Sequence, residues 1–202
     1  YQGDTYLDMG SGEYSWTDLS GNDRNLSLDV PGAILAVDDV QNGLGVMRFN
    51  SGASGGYSTP AAPFTANFTD IFMVLSVREA TFSNFSGIFT NETTEAFILG
   101  DDTDTKFFDL SFGASVYQYR KNGIEYAESV QPAPMNTFGL VHARFLTPAL
   151  LDNFQIGKDR AATDRYGKID VGEVLILNTN TINDSLEISQ DLLSRWGISG
   201  LV

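Results

Sequence analysis

Carboxylates are the only abundant reactive side chains in this 202-residue chain, which carries 26 Asp and Glu, 12 Lys and Arg, one histidine and no cysteine. The chemistry open to such an inventory is acid–base work by paired carboxylates, as in glycoside cleavage, where the two groups stand about 5–9 Å apart. Side chains on a β-strand share a face only at even separation, so a strand-borne pair reads acid-x-acid. The only such pair is Asp102-x-Asp104, in the loop-like stretch DDTDT. Asp170 and Glu173 stand three apart in a strand pattern and are expected on opposite faces. His142 sits between Val141 and Ala143 with no Gly-x-Ser-x-Gly elbow in the chain, which speaks against a nucleophilic triad. A zinc site of His and Cys ligands is excluded by the same inventory. The residues therefore point away from an enzyme.

Two other chemistries remain. Gly100-Asp101-Asp102-Thr103-Asp104 gathers hard oxygen ligands in one loop, so Asp101, Asp102 and Asp104 are candidate calcium ligands, with Asp38-Asp39 a lesser rival. The loop lacks the glycine and glutamate positions of an EF-hand, and no cofactor is required by the pattern. Tyr14, Trp16 and Tyr57 are candidate ligand contacts, because aromatic faces pack against the apolar faces of sugars; the competing role for Trp16 is an anchor beneath its loop. The net charge of −14 argues against nucleic acid and against anionic membrane surfaces as partners. No apolar run approaches the roughly 20 residues that span a bilayer, so no membrane insertion is expected.

Residues 1–202 read as one domain whose elements are strands. Asp70–Val77 (DIFMVLSV) has the character of a central strand, and Ile169–Leu177 is a second β-branched run. Val116–Arg120 and Ile124–Ala127 flank Asn122-Gly123, the dipeptide of a type I′ hairpin. Further strands are expected over 25–29, 33–37, 45–50, 87–90, 96–99, 107–112 and 138–145, with Pro148 closing the last. The stretch SGASGGYSTP reads as a surface loop. A helix follows residue 180, with Thr181, Asn183 and Asp184 as N-cap candidates, Asp184 and Glu187 at capping-box spacing, and Gly197 at the C-cap. Strands at short intervals without βαβ alternation make the chain all-β, a two-sheet antiparallel jelly-roll sandwich with one short C-terminal α-helix. Lys158, Arg160 and Arg165 form a basic cluster expected to pair with acidic loops or an acidic neighbouring subunit.

The ending GKIDVGEVLILNTNTINDSLEISQDLLSRWGI and the opening WTDLSGN (Trp16–Asn22) resemble the two terminal signatures of concanavalin A-like, laminin-G-like jelly-roll domains. That resemblance implies a concanavalin A-like sandwich and, at a loop rim, calcium. It also implies a non-catalytic binding or adhesion module that recognises a glycan or a neighbouring protein subunit, including a second copy of the chain. The alternative it implies is a structural virion component such as a phage tail, fibre or capsid-decoration domain; a carbohydrate-active enzyme comes third. The expected setting is extracellular or a virion surface. Beginning at Tyr1, the chain reads as a processed form or as a segment of a longer protein.

Overall fold

The computed structural model describes residues 6–8, 14–20, 25–28, 34–50, 57–58, 65–82, 85–92, 96–101, 104–107, 117–127, 130–160, 162, 164–178 and 181–200. Fourteen strands and one helix follow in order: β1 (Tyr6–Asp8), β2 (Tyr14–Trp16), β3 (Leu26–Leu28), β4 (Ile34–Gln41), β5 (Leu44–Phe49), β6 (Tyr57–Ser58), β7 (Thr65–Val77), β8 (Ser86–Asn91), β9 (Ala96–Gly100), β10 (Tyr117–Lys121), β11 (Ile124–Tyr126), β12 (Gly139–Asp152), β13 (Phe154–Ile156), β14 (Ile169–Leu177) and α1 (Ile182–Arg195). They build two sheets, A in the order β11-β10-β12-β7-β14-β5-β4 and B in the order β1-β2-β3-β6-β13-β8-β9, with antiparallel pairing throughout. From β3 onward the chain shuttles between the sheets, so the two layers are stitched by crossovers and form the expected all-β sandwich closed by one helix.

The alternating pleat of β7 explains why two cores exist. Ile71, Met73, Leu75 and Val77 point into the space between the sheets, while Phe72 and Val74 point out of sheet A toward α1. Between the sheets, Phe68 and Phe145 of sheet A meet Phe97 of sheet B edge to face, with centroids 5.2, 5.2 and 5.9 Å apart, within the range that aromatic quadrupoles favour. On the outer side, Leu192, Leu193 and Trp196 of α1 cover Val46, Phe72, Val74 and Leu140. Both faces of β7 are thus buried, which is why DIFMVLSV is almost continuously apolar.

The caps of α1 refine the expectation. Thr181 is the N-cap and Asp184 the reciprocating residue: the Asp184 amide donates to Thr181 Oγ1 at 3.2 Å and the Thr181 amide to Asp184 Oδ2 at 2.9 Å. The box therefore starts three residues before the Asp184–Glu187 pairing. At the other end Gly197, at φ +61°, lets its own amide reach Ser194 and that of Ile198 reach Leu193, the double bond of a Schellman turn. Asn122 and Gly123 have φ of +52° and +81°, as the type I′ hairpin requires, and Asn42-Gly43 repeats the device between β4 and β5.

Several boundaries move. Pro148 lies inside β12, exposed, where the register with β7 slips between Arg144 and Ala149; a bulge is the place where a strand tolerates a residue without an N–H. Tyr57–Ser58 within the glycine-rich stretch is a strand. Residues 108–112 of the expected 107–112 strand lie outside the described residues.

A bulge in β14 also overturns the face assignment of its two acids. Asp170 pairs with Ser76 and Val171 with Leu75, but Glu173 then pairs with Val74, leaving Gly172 as the extra residue. Asp170 and Glu173 therefore stand on the same, outer face of sheet A. A Cβ on Gly172 would come within 2.2 Å of the indole of Trp196, which is fully buried. Gly172→Ala is expected to force the indole out of its seat and to destabilise the fold by about 1–3 kcal/mol, the usual cost of overpacking a core. Denaturant unfolding monitored by Trp fluorescence would show the loss; an unchanged midpoint would mean that the indole seat is not a packing constraint.

Candidate functional site

The outer face of sheet A carries a row of carboxylates, and each is saturated by donors. Asp170 is gripped by Arg48 through two bonds of 2.8 Å and by Arg78 Nε at 2.9 Å. Glu173 accepts from Arg195 at 2.8 Å and from the Trp196 indole N–H at 2.9 Å. Asp70, fully buried in β7, accepts from Thr69 Oγ1 at 2.7 Å and Ser185 Oγ at 2.9 Å, lies 2.8 Å from His142 Nε2, and receives Arg144 at 3.3 Å. Shared face notwithstanding, Asp170 and Glu173 are both held as ion-paired structural anions.

Ser185, Asp70 and His142 are the residue types of a hydrolase triad in a different connectivity. The carboxylate is the hub, the serine hydroxyl donates to it rather than to the imidazole, and Ser185 and His142 are almost wholly buried. The imidazole of His142 stacks on Phe72 with centroids 4.1 Å apart. Nε2–H donates to Asp70, which makes the neutral ring with a bare Nδ1 the form that fits. Burial pushes the His142 pKa down; the bond and charge of Asp70 oppose that, and the charges of Arg120 and Arg144 reinforce it.

The basic cluster expected to reach acidic loops or a neighbour is absorbed locally. Asp159, fully buried, takes Arg160 at 2.8 Å and Arg165 at 3.0 Å, and Arg165 also lies over the Phe85 ring at 5.3 Å. Around it the 158–160 segment is bonded to β8, with Thr90 Oγ1 donating to the Lys158 carbonyl at 3.0 Å and accepting from the Arg160 amide at 3.1 Å.

Of the aromatic candidates, Trp16 is fully buried in the core between the sheets, so its ring is an anchor and presents no face to a ligand. Tyr14 and Tyr57 lie in β2 and β6 of sheet B, and their side chains fall outside the described residues. In the acidic loop, Lys106 Nζ lies 3.6 Å from Asp101 and 3.3 Å from Asp104, so an ammonium already bridges two of the three candidate calcium ligands. The carboxyl of Asp104 is held below its ordinary pKa, chiefly by the amide of Thr105. Asp102 lies outside the described residues.

Two concavities stand out among the described residues. The first is a polar cradle of about 480 Å³ at one end of sheet A, where the chain leaving α1 runs past the β4–β5 and β10–β11 turns. It is lined by Gln41, Asn122, Asn136, Thr137 and Phe138 with Gly197, Ile198 and Ser199. Each amide is pinned by one bond to backbone: Gln41 Nε2 donates to the Trp196 carbonyl at 3.0 Å, Asn136 Nδ2 to the Glu79 carbonyl at 3.0 Å, and Asn122 Oδ1 accepts from the Leu140 amide at 2.9 Å. The other half of each amide has no partner among the described residues. Phe138, half-buried, is stacked on Trp196 with centroids 6.3 Å apart. Sequence reasoning passed over these amides because the signal, Asn at turns, is the same one that marks turns for purely structural reasons.

The second concavity is an apolar cleft of about 480 Å³ beside β14, walled by Phe68, Leu151, Phe154, Val174 and Ile176 and lined also by Asp18, Leu19, Ser20, Glu173 and Arg195. The Trp16–Ser20 segment is firm there, since Asp18 accepts both the amide and the hydroxyl of Ser20 at 2.8 Å. Comparison with described protein families, with curated proteins and with solved structures found no match.

The His142 geometry carries a pH signature. Because the folded state holds His142 below its ordinary pKa of about 6.5, the unfolded chain binds the extra proton first as pH falls. The associated stability is therefore complete above the ordinary value and is lost as the pH drops through it toward the lowered folded value. Thermal unfolding of the protein and of His142→Gln between pH 8 and pH 5 is expected to show a decline in the parent that is shallower in the variant; parallel curves would remove His142 from the account.

Proposed function

We propose that the chain is a non-catalytic binding module that recognises a polyhydroxylated ligand, a glycan, in the amide cradle at the end of sheet A. The observation that carries this reading is the pinned state of Gln41, Asn122 and Asn136. A bond to backbone fixes the orientation of each amide before a ligand arrives, which lowers the entropic cost of recognition. The open halves then offer the Asn122 NH₂ as donor and the Gln41 and Asn136 carbonyl oxygens as acceptors, a neutral mixture suited to hydroxyls that both donate and accept. The ring of Phe138 supplies an apolar surface beside them. Non-catalytic recognition fits the buried carboxylates, whose lone pairs are committed to arginine, tryptophan, histidine and hydroxyl donors.

Asn122→Asp tests the reading, because the substituted residue keeps the oxygen that accepts from Leu140 and the turn conformation while replacing the free donor. Screening on a broad glycan array followed by titration of the glycan retained is expected to show affinity reduced about three- to tenfold in the variant, the worth of a neutral hydrogen bond, with an unchanged melting temperature. Absence of binding across the array, or equal affinity in the variant, would refute the glycan reading.

A further inference from the structure

We infer that the amide cradle reads an acetamido group, so that the ligand class of the site is a neutral N-acetylated sugar; this rests on the glycan reading above and narrows it. Each amide of the cradle is tied to a different part of the fold. Gln41, at the end of β4, donates to the Trp196 carbonyl beyond α1, and its neighbour Asn42 donates to the Arg195 carbonyl at 2.7 Å. Asn122, in the β10–β11 turn, holds the Leu140 amide of β12. Asn136 is tied twice to the chain leaving β7, its backbone amide donating to the Val77 carbonyl at 2.7 Å and its side chain to the Glu79 carbonyl at 3.0 Å. Turning any of the three side-chain amides over would exchange its NH₂ and its carbonyl and break the bond to backbone, so the open half of each keeps its sign.

A hydroxyl draws little selectivity from such a frame, because it rotates and both donates and accepts, and so fits either sign. An acetamido group has fixed roles: its N–H only donates, its carbonyl only accepts, and its methyl is apolar. The cradle holds a counterpart for each. The Gln41 and Asn136 carbonyl oxygens suit the N–H, the Asn122 NH₂ suits the carbonyl, and Phe138 and Ile198, both half-buried, suit the methyl. A sugar without the acetamido group leaves part of this fixed set unmatched, which is how a preformed polar site rejects an analogue. Carboxylated and sulfated sugars are disfavoured for a separate reason. Two of the three open halves only accept, and the chain carries a net charge of −14, so an added anion meets oxygen lone pairs and a repulsive field.

The probe is N,N′,N″-triacetylchitotriose, titrated into the full chain near physiological salt beside three controls. Cellotriose has the same linkage with hydroxyls in place of the acetamido groups, chitotriose has ammonium groups there, and acetyl-(Gly)₃-amide has amides without a sugar ring. Affinity for the acetylated sugar is expected to exceed that for each control about tenfold or more. In Asn122→Asp the margin over cellotriose is expected to narrow about threefold or more, because the partner of the acetamido carbonyl has become an acceptor. Equal affinity for cellotriose, or a margin that Asn122→Asp leaves intact, would overturn the acetamido assignment while the glycan reading stands. Chitotriose bound as tightly would show attraction to the acidic chain in place of recognition, and the peptide bound as tightly would show a site for amides of any source; either result overturns the assignment. Absence of binding to every sugar would overturn this inference and the glycan reading together.

Discussion

Helix α1 is fastened to sheet A by carboxylates that rise from the sheet itself, Asp70 beneath its first turn and Glu173 beneath its last. Taking an anion out of water costs several kcal/mol, and only a full set of donors returns that energy. Asp70 receives two hydroxyls, an imidazole and a guanidinium; Glu173 receives a guanidinium and an indole N–H. Ser185 and Ser189 are the buried residues of its N-terminal half, and Leu192, Leu193 and Trp196 pack on the outer core further along. The position of the chain after the helix, and with it one side of the amide cradle, follows from these two attachments.

The same economy governs the charge. Each arginine among the described residues, Arg48, Arg78, Arg120, Arg144, Arg160, Arg165 and Arg195, is matched to a carboxylate of this chain. Acidity at the surface is then what the pairing leaves over.

Much of the architecture was legible because its determinants are local. The Asn122-Gly123 turn, the C-cap at Gly197 and the apolar runs of β7 and β14 each follow from residue types within a few positions. Thr181, Asn183 and Asp184 are all competent caps by type, and only the packed geometry selects Thr181, so the capping box begins three residues before the Asp184–Glu187 pair. The faces of Asp170 and Glu173 were misread for a different reason. Strand parity counts residues, and one bulge changes the count; its sequence trace is a single Gly172 whose function depends on Trp196, two dozen positions away. The local pairing of Arg160 and Arg165 with Asp159, and the complete burial of Trp16, likewise depend on neighbours brought in from elsewhere in the fold. The candidate cradle was invisible for the same reason: Gln41, Asn122 and Asn136 are dispersed in the chain and are brought together only by the fold.

The order of the elements along the chain has a consequence for how the protein assembles. Every strand of sheet A precedes α1, so during synthesis the sheet can form while Phe72, Val74, Leu140 and the anion of Asp70 still face solvent. Until α1 docks, the sheet presents an apolar surface on which Asp70 lacks the Ser185 hydroxyl and Glu173 its Arg195 and Trp196 donors, the kind of surface that chaperones recognise and that promotes aggregation. Arrival of α1 covers the surface and supplies those donors in one step, which makes docking of the helix the point at which a sticky intermediate becomes a folded sandwich.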